Sequence, residues 1–380
     1  GDITVKAGET EGTNKVSQGA NQEVEDTDTI IKNREDTASS NTVTINAEDK
    51  NDKVEVTLKD VNIDTSSRNK AAVSVTGSGN TTIKLDGDNA LKSDTYRSGI
   101  YGSGSGSLTI SGGENDSLTA QGGSGANGIS SSGSLTISGG TVTANGDDGG
   151  RGISSSGSVT ISGGSTVTAN GGSGTISGGD GIRSGGVVTI SGNTVNAAGG
   201  NGGKVGGYGI CSFDRVAISG GTVEAAGGSS GSSNGGSGIY SSVIDLSGSL
   251  ELTAKAGSPN GKALSQKGSE LVLDTIKDKL GPGAKVTATD ADGKVIDQVP
   301  IPRPVEPEKP VIPEESSSSS GGGSAAPSAP VSPLPGLTVT DKDGQRISYT
   351  STQSGNTLTV CVGRLTAPSA SRWPPCVSCG

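Results

Sequence analysis

The sequence ISSSGSLTISGGTVTA at residues 129–144 combines three short segments in which apolar and polar residues alternate. The alternation is clearest in Leu135-Thr-Ile137 and in Val142-Thr-Ala144. A period of two residues is typical of a β-strand with one buried face. Gly and Ser separate the segments, so the stretch predicts three short strands joined by tight corners.

This three-segment pattern recurs along the middle of the chain. Successive first strands are separated by 29, 24, 29, 28 and 29 residues, and they begin at Ile100, Ile129, Ile153, Ile182, Ile210 and Ile239. The second strands begin at Leu108, Leu135, Val159, Val188, Val216 and Ile244. The third strands begin at Leu118, Val142, Val167, Val195, Val223 and Leu252. A nearly fixed period of this length indicates stacked repeats that complete one another's core.

Three strands and three corners per repeat predict an all-β fold, namely a single-stranded parallel β-helix (a solenoid) with three short strands per coil. We expect a right-handed helix, because crossovers between parallel strands are nearly always right-handed. Only 29% of the residues are hydrophobic and 2% are aromatic, which is poor for a globular core. A solenoid needs less, since neighbouring coils complete the burial, and the ordered alternation argues against a disordered Gly/Ser chain.

The composition divides the chain into four parts. Residues 1–41 are acidic and weakly patterned, so we expect an acidic N-terminal cap or an irregular segment there. The predicted β-helix occupies residues 42–299, with its regular coils at about 97–255. Residues 300–335 form a linker rich in Pro, Ser and Gly, and residues 336–380 begin like a second β module that we expect to be incomplete.

The end of the chain breaks with the composition of the rest. Residues 361–380 hold three of the four Cys and the only Trp, and they show no strand alternation. We interpret this tail as a truncated or frameshifted reading of a longer gene. Cys376-x-x-Cys379 resembles half of a zinc site or a redox pair, but the chain offers no second Cys pair and no His, so we expect neither. Cys211 replaces Ser at the outward position of GI-x-S and is expected to be an incidental thiol.

The candidate acids do not form a recognisable catalytic pair. The absence of His removes the most common general base and metal ligand. The acids at outward strand positions are scattered, at Asp214, Glu224, Asp245 and Glu251. Glycoside hydrolysis needs two cooperating carboxylates, and no coil places two of these acids at adjacent outward positions. We therefore predict that the protein is not an enzyme, with a polysaccharide lyase or glycoside hydrolase as an alternative.

The net charge of −10 makes calcium a candidate cofactor. Acidic loops place Asp86 near Asp88 and Asp147 beside Asp148, and hard cations bind several such oxygens. These loops do not match the GGxGxDxUx repeat of calcium-binding β-rolls. We expect solvated acidic turns, with calcium at these four aspartates as the alternative.

Outward Thr residues also stack from coil to coil. One predicted column contains Thr109, Thr136, Thr160 and Thr189. Flat Thr-x-Thr arrays resemble those of ice-binding proteins, which makes ice binding a weak further alternative. A second Thr column ends at Asn196 and Glu224, and Thr is in any case favoured at exposed strand positions.

The TISGGTVTA repeats, the segment VEVTLKDVNID and the Pro/Ser linker resemble one group of bacterial proteins. These are the carbohydrate-binding-domain-containing β-helix surface proteins of anaerobic, gut-type Firmicutes. The resemblance covers residues 1 to about 300. It implies a secreted or wall-attached right-handed β-helix that binds acidic plant or host polysaccharide, with calcium in some members.

The function predicted from the sequence is non-catalytic adhesion at the cell surface or outside the cell, through binding of polysaccharide or of host or plant glycans. Tyr101, Tyr208 and Tyr240 are the predicted ligand contacts, because they fall at or near the outward position of the first strand. The alternative is a structural stalk that presents another domain. We expect a monomer with no nucleic-acid partner and no membrane insertion. Any signal peptide or wall anchor is expected to lie outside the given chain.

Overall fold

The computed structural model describes residues 1–35, 37–302, 349–354, 357–362 and 376–379. The chain divides into two compact units, Gly1–Glu306 and Pro307–Gly380. The predicted linker lies outside the described residues apart from its first three positions, and so do residues 336–348 of the predicted second module.

The regular elements of the first unit are strands apart from one short 3-10 helix, and the fold is all-β with 52% strand and 2% helix. The strands before the regular coils are β1 (Ile3–Ala7), β2 (Asn14–Gln18), β3 (Val24–Asp26), β4 (Ile30–Lys32), β5 (Val43–Ala47), β6 (Lys53–Lys59), β7 (Asn62–Asp64), β8 (Val73–Gly77), β9 (Asn80–Asp86) and β10 (Asp88–Lys92). Those of the regular coils are β11 (Ile100–Gly102), β12 (Leu108–Ser111), β13 (Ser117–Ser124), β14 (Ile129–Ser131), β15 (Leu135–Ile137), β16 (Thr141–Asp147), β17 (Ile153–Ser155), β18 (Val159–Ile161), β19 (Thr166–Asn170), β20 (Ile182–Ser184), β21 (Val188–Ile190), β22 (Asn193–Ala198), β23 (Ile210–Ala226) and β24 (Ile239–Lys255). The last are β25 (Leu264–Gln266), β26 (Ser269–Glu270), β27 (Lys285–Thr289) and β28 (Val295–Pro300), with a 3-10 helix at Leu273–Lys279.

Parallel pairing stacks these strands into a solenoid of about eight turns with three strands per coil, which confirms the predicted fold class. The coils are β5–β7, β8–β10, β11–β13, β14–β16, β17–β19, β20–β22, β23 and β24, and we number them one to eight. Each first strand pairs in register with the first strand of the next coil, as Ile129 does with Ile153. The first strands form the first wall, and the second and third strands form the second and third walls. Handedness stays a prediction.

The predicted inward columns form one continuous core. The first-strand isoleucines from Ile100 to Ile239 are all buried, as are the Val and Leu residues that begin the second and third strands. Each buried aliphatic side chain contributes about 1.5–3 kcal/mol relative to an exposed one. At one predicted corner, Gly139 and Gly140 have φ of +139° and +73°, and a Cβ at Gly139 would overlap the carbonyl oxygen of Gly112.

The N-terminal residues are ordered into β1–β4. Strand β1 extends the first wall by pairing in parallel with β5, and β1, β2 and β3 pair antiparallel in sequence. Asp2 fastens this cap, because its carboxylate accepts hydrogen bonds from Arg68 Nη1 at 2.9 Å and from Lys70 Nζ at 2.8 Å. The acidic segment is thus a folded cap that covers an otherwise open strand edge.

At the other end, side-chain oxygens satisfy backbone donors that no further coil pairs. Gln266 Oε1 accepts the Ile244 N–H at 2.8 Å, and Glu270 Oε1 accepts the Leu264 N–H at 2.7 Å. The 3-10 helix packs against β24 and buries Leu273 there. Strands β25 and β27 add an incomplete ninth coil by pairing in parallel with β24, and side chains cap the backbone donors that this coil leaves unpaired.

The second unit contains a three-stranded antiparallel sheet of β29 (Tyr349–Ser354), β30 (Thr357–Val362) and β31 (Cys376–Cys379). Strand β31 lies in the tail for which the sequence predicts no strand, so the lack of alternation there was misleading. A four-residue strand is too short to show a period, and pairing with β30 stabilises it. No helix in the described part of the chain is long and apolar enough to span a membrane.

Candidate functional site

The outward position after the first-strand aliphatic residue forms one column along the first wall. Strand pairing places its members one coil apart, and they are Thr44, Ser74, Tyr101, Ser130, Ser154, Arg183, Cys211, Tyr240 and Ser265. We call this set the outward column. Four of its nine members are Ser, and apart from Tyr101 in coil three the larger side chains cluster in coils six to eight.

Tyr208 and Tyr240 stack on each other at this cluster. Their ring centroids are 4.8 Å apart and the ring planes differ by 18°. Both side chains are half-buried. Beside them Phe213 is 54% exposed, and the Arg183 guanidinium carbon lies 4.7 Å from the centroid of its ring. We call Arg183, Tyr208, Phe213 and Tyr240 the aromatic patch.

The third predicted contact residue, Tyr101, does not join this patch. It occupies the outward column five coils before Tyr240 and is 45% exposed. Five strand spacings of about 4.8 Å separate the two positions by about 24 Å. The structure thus places Tyr101 and Tyr240 on one wall, but it brings only Tyr208 and Tyr240 together.

Asp180 lies beneath the patch, and its side chain is only 7% exposed. Its Oδ2 accepts a hydrogen bond from Arg183 Nη1 at 2.8 Å and lies 3.4 Å from Arg151 Nε. Its Oδ1 accepts the backbone N–H of Tyr208 at 2.9 Å. A buried carboxylate is costly unless it is paired, and these three donors supply the pairing.

Cys211 occupies the outward column but is fully buried, contrary to the expectation of an outward thiol. The long side chains of Arg183 and Tyr240 occupy the neighbouring positions of the column, which accounts for this burial. Burial, together with the nearby Asp180, raises the pKa of the Cys211 thiol to about 12. The thiol therefore stays protonated and unreactive at neutral pH. Burial also raises the pKa of Tyr208, so its phenol keeps the proton that it can donate.

The four calcium candidates lie in two separate groups with different partners. Asp86 pairs with Lys59 Nζ at 2.7 Å, and Asp88 accepts a hydrogen bond from the Ser117 hydroxyl at 2.7 Å. Asp147 accepts the N–H of Asp148 at 2.9 Å. Within the described ranges, no three His, Cys, Asp or Glu residues are grouped as metal ligands would be.

The other predicted surface features are spread over the second and third walls. Glu224 and Glu251 occupy diagonal positions on adjacent coils of the third wall, since Glu251 is in register with Thr222. Both carboxylates are exposed. Asp245 instead faces Arg215 and Lys279, at 3.5 and 3.4 Å. The second Thr column is interrupted as the sequence indicates, because the residues in register with Thr168 in the next two coils are Asn196 and then Glu224.

Sequence reasoning did not single out Asp180, Arg151, Arg183 or Phe213 as site residues. A signal for the three charged residues exists in the repeat itself. Asp180, Arg151 and Tyr208 precede their first-strand Ile by two residues, and Arg183 follows its own by one. Positions where a long or charged side chain replaces Ser, Asn or Gly of the repeat mark the surface that differs from the scaffold.

Comparison of this chain with protein-family models, with curated proteins and with solved structures finds no match. The resemblance to carbohydrate-binding β-helix surface proteins stays a prediction.

Proposed function

We propose that the protein is a non-catalytic, surface-exposed β-solenoid that binds glycan chains through the aromatic patch and thereby mediates adhesion outside the cell. The observation that carries this proposal is the stack of Tyr208 on Tyr240, partly exposed on a wall otherwise dominated by Ser and Gly. Clustered aromatic rings on a surface do not help a protein to stay in solution, so their exposure favours a binding role.

The chemistry of the patch suits a sugar. Tyrosine rings offer a rigid apolar surface for the C–H face of a sugar ring, and their hydroxyl groups exchange hydrogen bonds with its hydroxyl groups. Arg183 presents a planar guanidinium beside Phe213, and its donors suit sugar oxygens. Tyr and Arg are also the residues that most often dominate binding energy at interfaces.

The shape of the surface favours a long ligand over a small one. The strands of the first wall lie side by side and repeat at about 4.8 Å, so the wall around the patch is an extended surface. A polysaccharide can lie along such a surface and contact several coils at once. We therefore propose a polysaccharide, or a host or plant glycan, as the partner.

A glycan array with matched variants tests this proposal. We expect wild-type protein to bind at least one glycan, and Tyr208→Ala and Tyr240→Ala to weaken that binding about tenfold or more, as loss of a central aromatic contact does. Tyr101→Ala is the control, because Tyr101 shares the column of Tyr240 but lies outside the patch. Equal loss in all three variants would contradict a role specific to the patch.

Running the same array with calcium and with EDTA tests the cofactor. Because Asp86, Asp88, Asp147 and Asp148 engage other partners in two separate groups, we expect the same glycans to bind in both conditions. Binding that disappears with EDTA would reinstate calcium as a structural or bridging ion.

A structural stalk is the second candidate, and the unbroken core of the eight coils favours it. A stacked core that runs the length of the solenoid keeps a rigid spacing between its ends. On this account no glycan is retained by the wild type or by any variant, with or without calcium. The array therefore separates the two functions in one experiment.

A further inference from the structure

The Asp180 carboxylate contacts the side chains of Arg151 and Arg183 and the backbone of Tyr208, and these residues belong to three successive repeats. Arg151 comes from the loop before coil five, Asp180 and Arg183 from coil six, and Tyr208 from coil seven. Asp180 contacts all three of the others, at 3.4, 2.8 and 2.9 Å. These contacts use both carboxylate oxygens, so the orientation of the group is fixed from two sides.

Asn127 provides an internal comparison for Asp180. Both residues lie two positions before a first-strand Ile, and Asn127 Oδ1 accepts the backbone N–H of Arg151 at 2.8 Å, as Asp180 Oδ1 accepts that of Tyr208. A neutral amide is therefore sufficient to cap the backbone N–H of the next coil. The negative charge of Asp180 must be explained by something else, and the two guanidinium groups at its Oδ2 explain it.

We propose that Asp180 is the positioning residue of the aromatic patch: its charge holds Arg183 against Phe213 and over Cys211, while its second oxygen holds the backbone of Tyr208. Arg183 has five N–H donors on a flexible stem, and only a fixed partner confines it to one orientation. As far as ligand binding is concerned, this inference rests on the proposed glycan-binding function. The geometry that it describes does not.

Cys211 is a built-in reporter of this geometry, because it is buried between Arg183 and Tyr240 in the outward column. Iodoacetamide labelling of the native full-length chain, with peptide mass mapping of Cys211, measures how often the cover opens. Asp180→Asn keeps the acceptor for Tyr208 N–H but removes the charge. We expect about tenfold faster labelling of Cys211, since loss of a charge-assisted hydrogen bond shifts a local opening equilibrium by about that factor.

Asp245→Asn is the matched control. Asp245 also faces two cations, Arg215 and Lys279, but on the second wall, and we expect wild-type labelling of Cys211 in this variant. Hydrogen exchange of the amides of β15 monitors global loosening, because β15 lies two coils before the patch. Asp180→Asn is preferred over Asp180→Ala because it preserves the backbone cap.

Loss of the Asp180 charge by itself lowers the pKa of the Cys211 thiol, so Asp180→Asn is also made on an Arg183→Ala background. Faster labelling of Cys211 in Asp180→Asn alone, with no further increase on the Arg183→Ala background and unchanged exchange in β15, supports the positioning role. Labelling at the wild-type rate overturns it, and so does faster labelling accompanied by equally faster exchange in β15, which signals a loosened fold. Glycan binding is then measured on the same samples. If Asp180→Asn changes the labelling of Cys211 but the wild type binds no glycan, the positioning role stands and the proposed function is wrong. If Asp180→Asn is labelled at the wild-type rate and binds glycan normally, the proposed function stands and the positioning role is wrong.

Discussion

The first wall carries two very different surfaces on one scaffold. In coils four and five the outward column presents Ser130 and Ser154, whereas in coils six to eight it presents Arg183, Cys211 and Tyr240. The strands pair in register throughout, and the Ile residues that lead them are equally buried in both regions. Inward residues therefore determine the fold, and outward residues vary without disturbing it. The contrast separates what builds the solenoid from what we propose it binds.

The largest effect is expected where the two regions are alike. Ile153→Ala in the serine region and Ile210→Ala in the patch region each remove a fully buried side chain. We expect each to lower the free energy of unfolding by about 2–5 kcal/mol, because both leave a cavity in a stacked core. Urea denaturation followed by circular dichroism measures this loss. A much smaller loss at one of the two sites would show that the core is not shared.

Thiol reactivity is expected to differ sharply between the regions. Ser154→Cys places a thiol at the outward position of coil five between Ser130 and Arg183, so a long side chain flanks it on one side only, and its pKa should stay well below that of Cys211. The pKa of Cys211 is raised to about 12, so between pH 7 and 9 its thiolate fraction stays far lower. In the Ser154→Cys variant at about pH 9, we expect iodoacetamide to label the introduced thiol about a hundredfold faster than Cys211, or more. Equal labelling rates would contradict the burial of Cys211.

The raised pKa of Cys211 also makes the stability of the folded protein depend on pH. A thiol whose pKa is higher in the folded state than in the unfolded state favours folding below the unfolded pKa, and this contribution is lost as the pH rises towards the folded pKa. For Cys211 that window runs from about 9 to about 12. We expect Cys211→Ser to flatten the fall in melting temperature across this window. An unchanged slope would mean that the thiol is not buried in the folded protein.

The smallest effect is expected in the serine part of the column. Ser130→Ala changes a half-buried hydroxyl on the first wall of the described solenoid. We expect a change in unfolding free energy within about 0.5 kcal/mol and no change in glycan binding. A loss of binding would extend the ligand surface beyond the patch and weaken the contrast between the two regions.

The core was predictable from the sequence because its information is repeated. Ile153, Val159 and Val167 follow the same alternation as their counterparts in five other coils, and a period-two pattern assigns the buried face directly. The ends were less predictable. Strand β1 pairs antiparallel with β2, and Gln266 and Glu270 cap the other end, but each of these features occurs only once, so no repeated pattern predicts it.

The site was predictable only in part. Tyr101 and Tyr240 share a wall because they hold the same position in the repeat, and this follows from counting alone. The stacking of Tyr208 on Tyr240 depends on how the corner before Ile210 turns, which the spacing does not specify. In the sequence Asp180 resembles the other acidic loop residues, and only the structure shows that it is buried between two arginines.

The most direct test of glycan binding at the aromatic patch is the dissociation constant of a glycan selected on the array, measured by titration calorimetry for wild type, Tyr240→Ser and Tyr101→Ser. Both substitutions restore the serine found elsewhere in the outward column and preserve the core. We expect Tyr240→Ser to raise the constant about tenfold or more and Tyr101→Ser to leave it unchanged. Equal constants for wild type and Tyr240→Ser would contradict the assignment of function to the patch.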